Sequence, residues 1–342
     1  MNTTRDDNTA SLNAQLDPGL VQQAMALIEP ARRIALLAHE HPDGDCLGSA
    51  LGFTHILRAL GKLCVPACAD PAPRSFAFLP GIELLQNTLG DENFDLIIAL
   101  DAGELTRFGS LYEQHKAFLD RATILNIDHH ISSEGCGQVN IIDPTAAATG
   151  ELLTLFQQQA ELPLSQEAAM CLLTGIITDT ASFQYTSTTP RTMEVGACLL
   201  RAGAVAETIV KPLFRTRPLA QARFQAAVIA NARTSCGGRL IWSYATEETL
   251  AAAGALAEMD ENSSGMLRDI EGVQVAAFFK SYNEPGVTRL SMRSMAPYNV
   301  AEFCMRFGGG GHARAAGATI HQPLLEAMAM IVAELEQELQ RI

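Results

Sequence analysis

The chain has 342 residues, and 24 basic against 38 acidic side chains give it a formal net charge of −14 at pH 7. The length indicates about two domains, and a hydrophobic fraction of 48% excludes an intrinsically disordered chain. The acidic balance argues against broad electrostatic binding of long duplex nucleic acid or an anionic membrane, whereas a small phosphate substrate is compatible with it if bound cations supply positive charge.

The first two hundred residues alternate short apolar runs with amphipathic segments. The apolar runs predict strands buried on both faces, and the segments between them predict helices. This alternation is typical of an α/β domain with a mainly parallel sheet. The predicted strands are 34–38, 63–68, 96–100, 123–127 and 139–142, and the predicted helices are 21–29, 46–60, 111–119, 147–159, 166–177 and 191–201.

The pattern changes after about residue 202. Helical stretches interrupted by Pro212 and Pro218 predict a linker, and a smaller α/β domain follows it. We therefore expect a first domain over 20–202, a helical linker over 203–235 and a second domain over 236–342. In the second domain the predicted strands are 240–244, 273–279, 288–292 and 318–320, and the predicted helices are 247–252, 300–305 and 324–339.

Four polar clusters coincide with the ends of predicted elements in the first domain. They are HEHPDGDCLGS at 39–49, Asp101, Asp128-His129-His130, and Asp179 within GIITDT. Because ligand sites in open α/β sheets lie beyond the carboxyl ends of the strands, we expect these side chains to meet. Carboxylates with a few imidazoles suit divalent ions such as manganese or magnesium. Taken singly, each residue is explained better by a helix cap or a solvated charge, and Asp143 before Pro144 is interpreted as a turn.

The ordered set of motifs resembles the DHH phosphoesterase family. HxxxDGDxxGS, an Asp after an apolar strand, Asp-His-His and GIITDT occur in that order, and they are followed by Ser291–Ser294 and by Gly308–Gly311 with His312. The last two features are similar to the family's C-terminal substrate domain, and the resemblance covers about residues 30–325. The chain is most similar to the oligoribonuclease and pAp-phosphatase group of that family.

The resemblance implies an α/β fold with the active site in a cleft between the two domains. It also implies two divalent metal ions, usually manganese, with magnesium and cobalt as alternatives. The implied ligands are His39 and Asp43 for one ion, Asp45, His129 and Asp179 for the other, and Asp101 as a bridge between them. Asp128 is implied to orient an imidazole, and His130 to face the scissile phosphate as a hydrogen-bond donor or acid.

The glycine run is implied to let backbone N–H groups approach a phosphate, although a run of this kind could also be a hinge. The implied substrate contacts in the second domain are Arg293, Ser294, Gly309, Gly310, Gly311, His312 and Arg314. Cys46 departs from the family pattern, which often has alanine there. A buried thiol fits the position.

The implied reaction is hydrolysis of short oligoribonucleotides or dinucleotides to mononucleotides, and of pAp to AMP, by a hydroxide activated between two ions. A cyclic-dinucleotide phosphodiesterase, a RecJ-like single-strand exonuclease and an exopolyphosphatase or pyrophosphatase are the alternatives. The partner is then a short nucleotide rather than long duplex nucleic acid, and the resemblance allows a homodimer through the α/β domain. The sequence does not rank the substrates or give the direction of attack.

Cysteine usage and the N-terminus predict the compartment. The eight cysteines form no closed CxxC pair and no disulfide framework, as is typical of thiols in a reducing environment. The first 20 residues lack the apolar core of a secretory signal, and no uncharged apolar run reaches the roughly 18–20 residues needed to cross a bilayer. We therefore expect a cytoplasmic protein with no membrane partner.

Overall fold

The structure is a computed structural model that describes residues 15–90, 93–260, 262–282 and 284–341. The contacts between Cα atoms divide the chain into two compact units, and the division falls between Thr216 and Arg217. That point lies inside the segment 203–235, for which the sequence predicts a linker. The domain boundaries given in the sequence analysis stay a prediction.

The first unit is built on a five-stranded parallel sheet with the strand order β2-β1-β3-β4-β5. Its strands are β1 (Arg33–Ala38), β2 (Leu63–Cys68), β3 (Leu96–Leu100), β4 (Ile124–Asp128) and β5 (Val139–Ile142). Its helices are α1 (Pro18–Ile28), α2 (Gly44–Ala59), α3 (Ser110–Leu119), α4 (Thr149–Gln159), α5 (Gln166–Asp179), α6 (Pro190–Arg201) and α7 (Ala206–Val210). The predicted α/β class with a mainly parallel sheet is confirmed.

Both faces of this sheet are buried, which explains the continuous apolar runs. Ile34, Leu36 and Ala38 of β1 belong to one hydrophobic core, to which α1, α2, α4 and α5 also contribute. Ala35 and Leu37 belong to a second core on the opposite face, to which α3 contributes. Successive side chains of a strand point to opposite faces, so a strand covered on both sides needs apolar residues at every position.

The strand order also determines where a ligand can enter. From β1 the chain moves outward to β2 and then returns to β3 on the other side of β1. The connections that leave β1 and β3 therefore diverge, and this reversal opens a crevice at the carboxyl ends of those two strands. His39 follows β1 and Asp101 follows β3. Both lie at the crevice.

The second unit contains a mixed six-stranded sheet with the order β10-β11-β9-β8-β7-β6, in which only β7 and β8 pair in parallel. Its strands are β6 (Arg233–Ser235), β7 (Leu240–Thr246), β8 (Val275–Ser281), β9 (Thr288–Ser294), β10 (Gly310–His312) and β11 (Ala315–Ile320). Its helices are α8 (Leu219–Ala230), α9 (Glu247–Ala253), α10 (Ser263–Arg268), α11 (Val300–Met305) and α12 (Leu324–Arg341). One face packs on α11 and α12, and the other on α8, α9 and α10.

The second sheet differs from the prediction in several details. β6 lies inside the predicted linker, and β11 begins at Ala315 and not at residue 318. The strand predicted over 273–279 begins at Val275, where its parallel pairing with Leu240 of β7 starts. Part of the glycine run is a strand, β10, which pairs with β11. Small residues give no alternating apolar signal, so only the pairing partner reveals such a strand.

The helices give no indication of a membrane segment. Within the described ranges, every helix is too short or too polar to span a bilayer. The predicted cytoplasmic location stays a prediction.

Candidate metal centre

The carboxyl edge of the first sheet carries the predicted metal ligands, which come from separate elements of the unit. They are His39 after β1, Asp43 and Asp45 at the start of α2, Asp101 after β3, His129 after β4 and Asp179 at the end of α5. Asp43 is the N-cap of α2, and its carboxylate accepts hydrogen bonds from the N–H groups of Asp45 and Cys46. The Asp43 side chain is therefore both a helix cap and a predicted metal ligand.

Two imidazoles face the carboxylates of this group. His129 Nε2 lies 3.3 Å from Asp179 Oδ2, 3.5 Å from Asp101 Oδ1 and 3.8 Å from Asp45 Oδ2. On the other side, His39 Nε2 lies 3.5 Å from Asp101 Oδ2. The two oxygens of Asp101 therefore face two different histidines.

Asp43 completes the group on the side of His39. Its Oδ1 atom lies 3.8 Å from His39 Nε2. The structure thus brings all six predicted ligands to one place, whereas their assignment to particular ions stays a prediction.

Backbone carbonyls orient both imidazoles. His39 Nδ1 lies 2.8 Å from the Glu40 carbonyl oxygen, and His129 Nδ1 lies 3.3 Å from that of Ala146. A carbonyl oxygen can only accept a hydrogen bond, so each Nδ1–H is the donor. Each Nε2 atom therefore faces the carboxylates. Among the described residues, the buried Nε2 of His129 has no hydrogen-bond partner. A buried nitrogen without a partner, aimed at three carboxylates, is what a divalent cation would satisfy.

Three groups of side chains could each hold an ion, because the ligand atoms within each group lie within 4.8 Å of one another, and two of the groups share His129. They are Asp45-His129-Asp179, Asp101-His129-His130 and His39-Asp43-Cys46. The oxygen and imidazole donors of these groups fit manganese or magnesium. The Cys46 thiol donates to the Asp43 carbonyl at 3.6 Å, and burial, with the charge of Asp43, raises the pKa of the thiol well above its ordinary value. This thiol is therefore held in its neutral form, which is a poor ligand.

Asp45 is fixed by the first turn of α4. Its side chain is fully buried and accepts hydrogen bonds from the N–H groups of Thr149 at 2.6 Å and Gly150 at 2.9 Å. The Thr149 hydroxyl also donates to Asp101 Oδ1 at 2.9 Å. Sequence reasoning missed both supporting residues. Their only local signal is a Thr-Gly pair that starts a helix after the last strand of the sheet.

The carboxylates crowd each other electrostatically. Burial, together with the charges of Asp101 and Asp179, raises the pKa of Asp45 well above its ordinary value. Burial also raises the pKa of Asp179 to about 6, although the nearby His129 imidazole, 3.3 Å away, opposes the shift. For His129 burial lowers the pKa, but the three carboxylates outweigh it and raise the pKa to about 10. Positive charge is therefore strongly favoured in this cluster.

Asp128 orients the next histidine. Its buried carboxylate accepts from His130 Nδ1 at 2.7 Å and from the N–H groups of His129 and His130 at 2.8 and 3.2 Å. The hydrogen bond between His130 Nδ1 and the Asp128 carboxylate raises the pKa of His130. Burial alone would raise the pKa of Asp128, but its hydrogen bonds outweigh burial, so the pKa of Asp128 is lowered. The His130 ring is about half exposed. A half-exposed imidazole is thus held by a buried carboxylate, and the roles of Asp128 and His130 in the reaction stay predictions.

In the second unit, two predicted substrate contacts share one face of the sheet. His312 pairs with Ala315, which pairs with Arg293 on the next strand, so their side chains lie in one row across three strands. The neighbouring row, with Met292 and Ala316, packs into the core beneath α11 and α12. Arg293 and His312 therefore point away from that core.

Ser294 and Arg314 have a different neighbourhood. The Ser294 hydroxyl is buried and donates to the carbonyls of Tyr298 and Ala313 at 2.6 and 3.3 Å. The Arg314 guanidinium also donates to the Tyr298 carbonyl, and it lines a cavity of about 680 Å³ beside α11 and α12 together with Arg306. The structure does not bring these two side chains to the row of Arg293. Their roles in substrate binding stay predictions.

Packing explains two glycines of the run but not a third. A Cβ atom at Gly309 would lie 2.1 Å from the Gly317 carbonyl oxygen, and one at Gly311 would lie 2.5 Å from that of Ala315. A Cβ at Gly310 would meet nothing within 4 Å. The hairpin of β10 and β11 thus requires glycine at 309 and 311, whereas packing does not account for the glycine at 310, whose role in substrate binding stays a prediction.

Comparisons with known proteins cover both units. The family model described as the DHH family, N-terminal domain matches residues 33–176, and the one described as the DHHA1 domain matches residues 229–341. The chain is similar to a Thermus thermophilus protein named bifunctional oligoribonuclease and PAP phosphatase NrnA, with 32% identity over 94% of each chain. A protein of the same name from Bacillus subtilis is 26% identical over 84% of this chain and 89% of its own length.

A solved structure shows the same fold. The crystal structure of an exopolyphosphatase-related protein from Bacteroides fragilis covers 95% of this chain and 98% of its own, with a TM-score of 0.84 and 22% identity. At that identity the likeness extends to the arrangement of the elements.

Proposed function

Because the chain belongs to the DHH family, we propose that it is a metal-dependent phosphoesterase that hydrolyses short oligoribonucleotides and converts pAp to AMP. The convergence of six ligands from separate elements supports the hydrolytic site. The function that the name of the Thermus thermophilus relative gives, for a protein aligned over 94% of this chain, supports the substrate class.

The position of Asp101 is the observation that carries the proposal. Its Oδ1 faces His129 at 3.5 Å and its Oδ2 faces His39 at 3.5 Å. A carboxylate between two imidazoles supports two ion positions, one beside His39 and Asp43 and one beside Asp45, His129 and Asp179, with Asp101 shared. Manganese is the proposed ion, and magnesium and cobalt are the alternatives, because the donors are oxygens and imidazoles.

The bound ions would activate a water molecule at neutral pH and neutralise charge on the phosphoryl oxygens. The protein's own contribution begins with rigid placement, since backbone groups fix His39, His129 and Asp45 before any ligand arrives. His130 is held by Asp128, and this hydrogen bond raises the pKa of the imidazole, which favours the role of proton donor to the leaving oxygen.

The second unit would bind the substrate beyond the scissile phosphate. Arg293 and His312 lie in one row and offer donors to a phosphate, and Gly310 leaves the backbone open to close approach. A net charge of −14 favours a short substrate over long duplex nucleic acid. Engagement of both units by one substrate, a homodimer and a cytoplasmic location stay predictions.

The test is nucleotide release by the purified full chain, loaded with Mn²⁺ or stripped with EDTA. The substrates are pAp, a 5′-phosphorylated dinucleotide, a cyclic dinucleotide, longer RNA oligomers and pyrophosphate. We expect Mn²⁺-dependent release from pAp and the dinucleotide, and a rate that falls as the RNA lengthens. Release confined to the cyclic dinucleotide or to pyrophosphate would contradict the proposed substrate class.

The matched variant is Asp101→Asn. Asp101 adopts φ of +58°, a left-handed conformation that asparagine tolerates well. The amide can also accept from Thr149 and donate to His39, so the variant should fold and yet lose Mn²⁺-dependent release by at least about a hundredfold. The control is Asp120→Asn, an exposed carboxylate paired with Lys116. Full activity in Asp101→Asn would contradict the proposed centre.

A further inference from the structure

A buried ion-pair network lies beside the candidate metal centre and contains none of its predicted ligands. Arg191, in the first turn of α6, donates from Nε to Glu151 Oε1 at 2.5 Å and from Nη1 to Asp143 Oδ2 at 2.8 Å. The Glu151 side chain is fully buried, and the Arg191 side chain is 21% exposed. A charge buried to this extent is retained only with a partner.

Both carboxylates hold the same short segment, residues 143–148, which joins β5 to α4. Asp143 Oδ1 accepts from the N–H of Thr145 at 2.9 Å and from its hydroxyl at 2.6 Å. Glu151 Oε2 accepts from the N–H of Ala147 at 3.3 Å. Arg191 therefore joins the two ends of the 143–148 segment through one rigid, planar group.

The 143–148 segment in turn contacts the metal centre. The Ala146 carbonyl accepts from His129 Nδ1. The residues that follow the segment, Thr149 and Gly150, donate to Asp45 and Asp101. Three predicted ligands thus take their orientation from backbone or hydroxyl groups whose position depends on the two carboxylates that Arg191 binds.

We propose that Arg191 is a positioning residue for the metal centre, acting through Glu151 and Asp143 on the 143–148 segment. This inference rests on the proposed function, since it assumes that the centre binds metal ions. Arg191 lies 40 residues from Glu151 and 48 from Asp143 in sequence, so it joins α6, which carries no predicted ligand, to the site. Partners that orient metal ligands typically change metal affinity 10–100-fold when they are removed.

The experiment is a Mn²⁺ titration of the full chain, followed by the electron paramagnetic resonance signal of free Mn²⁺. Arg191→Gln should weaken Mn²⁺ binding by about 10–100-fold. Arg191→Lys, which keeps one charge but cannot bridge both carboxylates with a planar fork, should restore part of the affinity. Arg201→Ala, at the exposed end of the same helix, is the control and should bind Mn²⁺ like the parent chain.

A second variant separates positioning from folding. Arg191→Gln leaves Glu151 buried without a cation, whereas Arg191→Gln combined with Glu151→Gln places two neutral amides there that can bond to each other. We expect this double variant to keep the melting temperature of the metal-free parent within a few degrees and still to bind Mn²⁺ at least about tenfold more weakly. At saturating Mn²⁺, its KM for pAp should match that of the parent.

Two results would overturn the inference. The first is a folded double variant whose Mn²⁺ affinity lies within twofold of the Arg201→Ala control. The second is a parent chain that binds no Mn²⁺ at all, which would overturn the proposed function as well. The first result alone leaves the proposed function intact, so the two failures are distinguishable.

Discussion

At the scale of single residues, the main feature of the candidate metal centre is its concentration of carboxylates. Asp45, Asp101 and Asp179 approach one imidazole, His129, within 3.8 Å. Three carboxylates gathered around one imidazole repel one another, and burial adds to the cost of their charges. Two pKa shifts follow from this crowding of charge. The pKa of Asp179 is raised to about 6, and the pKa of His129 is raised to about 10. A divalent cation would replace the protons that these groups otherwise hold.

We therefore expect Mn²⁺ binding to strengthen as the pH rises. A ligand must lose its proton before it binds an ion, so binding competes with protonation of His129 up to about pH 10 and of Asp179 up to about pH 6. Between pH 6 and 8 the Kd for Mn²⁺ should fall by at least about tenfold per pH unit, because the raised pKa values of His39 and Asp45 add to the competition, and more steeply below pH 6. Titrations at pH 5.5, 6.5, 7.5 and 8.5 measure this slope, and a Kd independent of pH would contradict it.

At the scale of elements, close contact between α2 and α5 shapes the centre. Asp45 belongs to α2, and Gly175 of α5 lies directly against it. A Cβ atom at Gly175 would lie 2.2 Å from Asp45 Oδ1, and one at Gly48 would lie 2.4 Å from the Cys171 carbonyl oxygen. Glycine at these positions lets the two helices approach until a carboxylate of one fits against the backbone of the other.

Gly175→Ala should therefore damage the centre through packing alone. The added methyl group must displace Asp45, which the N–H groups of α4 hold in place, and overpacking of this kind costs about 1–3 kcal/mol. We expect a lower melting temperature and Mn²⁺ binding weakened by at least about tenfold. Calorimetry and Mn²⁺ titration measure the two effects.

The control for this substitution is Gly196→Ala. Gly196 lies inside α6, where a Cβ would come no closer than 3.3 Å to the edge of the Phe183 ring. Alanine is the better helix former, so this variant should keep its stability and its Mn²⁺ affinity. Equal Mn²⁺ affinity in the two glycine variants would show that the contact between α2 and α5 does not hold Asp45.

At the scale of the whole molecule, the two units have separate sheets and separate cores. All predicted metal ligands belong to the first unit, and the row of Arg293 and His312 belongs to the second. Metal binding and substrate binding should therefore respond to different substitutions.

Arg293→Ala tests this separation. Loss of one charge-assisted hydrogen bond to a phosphate is worth about 1.5–3 kcal/mol, so the KM for pAp should rise by about tenfold or more while the Mn²⁺ affinity stays unchanged. Arg306→Ala is the control, because Arg306 is the C-cap residue of α11 and is paired with Glu334 and Glu338. If KM rises equally in both variants, or in neither, the predicted role of Arg293 is wrong.

The sequence by itself determined the fold class and the chemical character of the site. Mainly apolar runs of four to six residues predicted the strands of the first sheet, because a strand covered on both faces favours apolar residues throughout. The polar residues directly after those runs, such as His39 and Asp101, marked the edge that carries the predicted ligands, because parallel strands all end at one side. Both signals are local in the sequence, and each is recognised without knowing which elements pack against the strand.

Only the tertiary structure decided which distant groups support the site. Asp143 is interpreted from sequence as a turn residue, and it does bond to Thr145, yet it also binds Arg191 from 48 residues away. Ser294 and Arg293 are neighbours in sequence, but alternation along β9 sends them to opposite faces. The physical reason is that hydrogen bonds and ion pairs between separate elements depend on how helices and strands pack. The local periodicity of the sequence does not determine that packing.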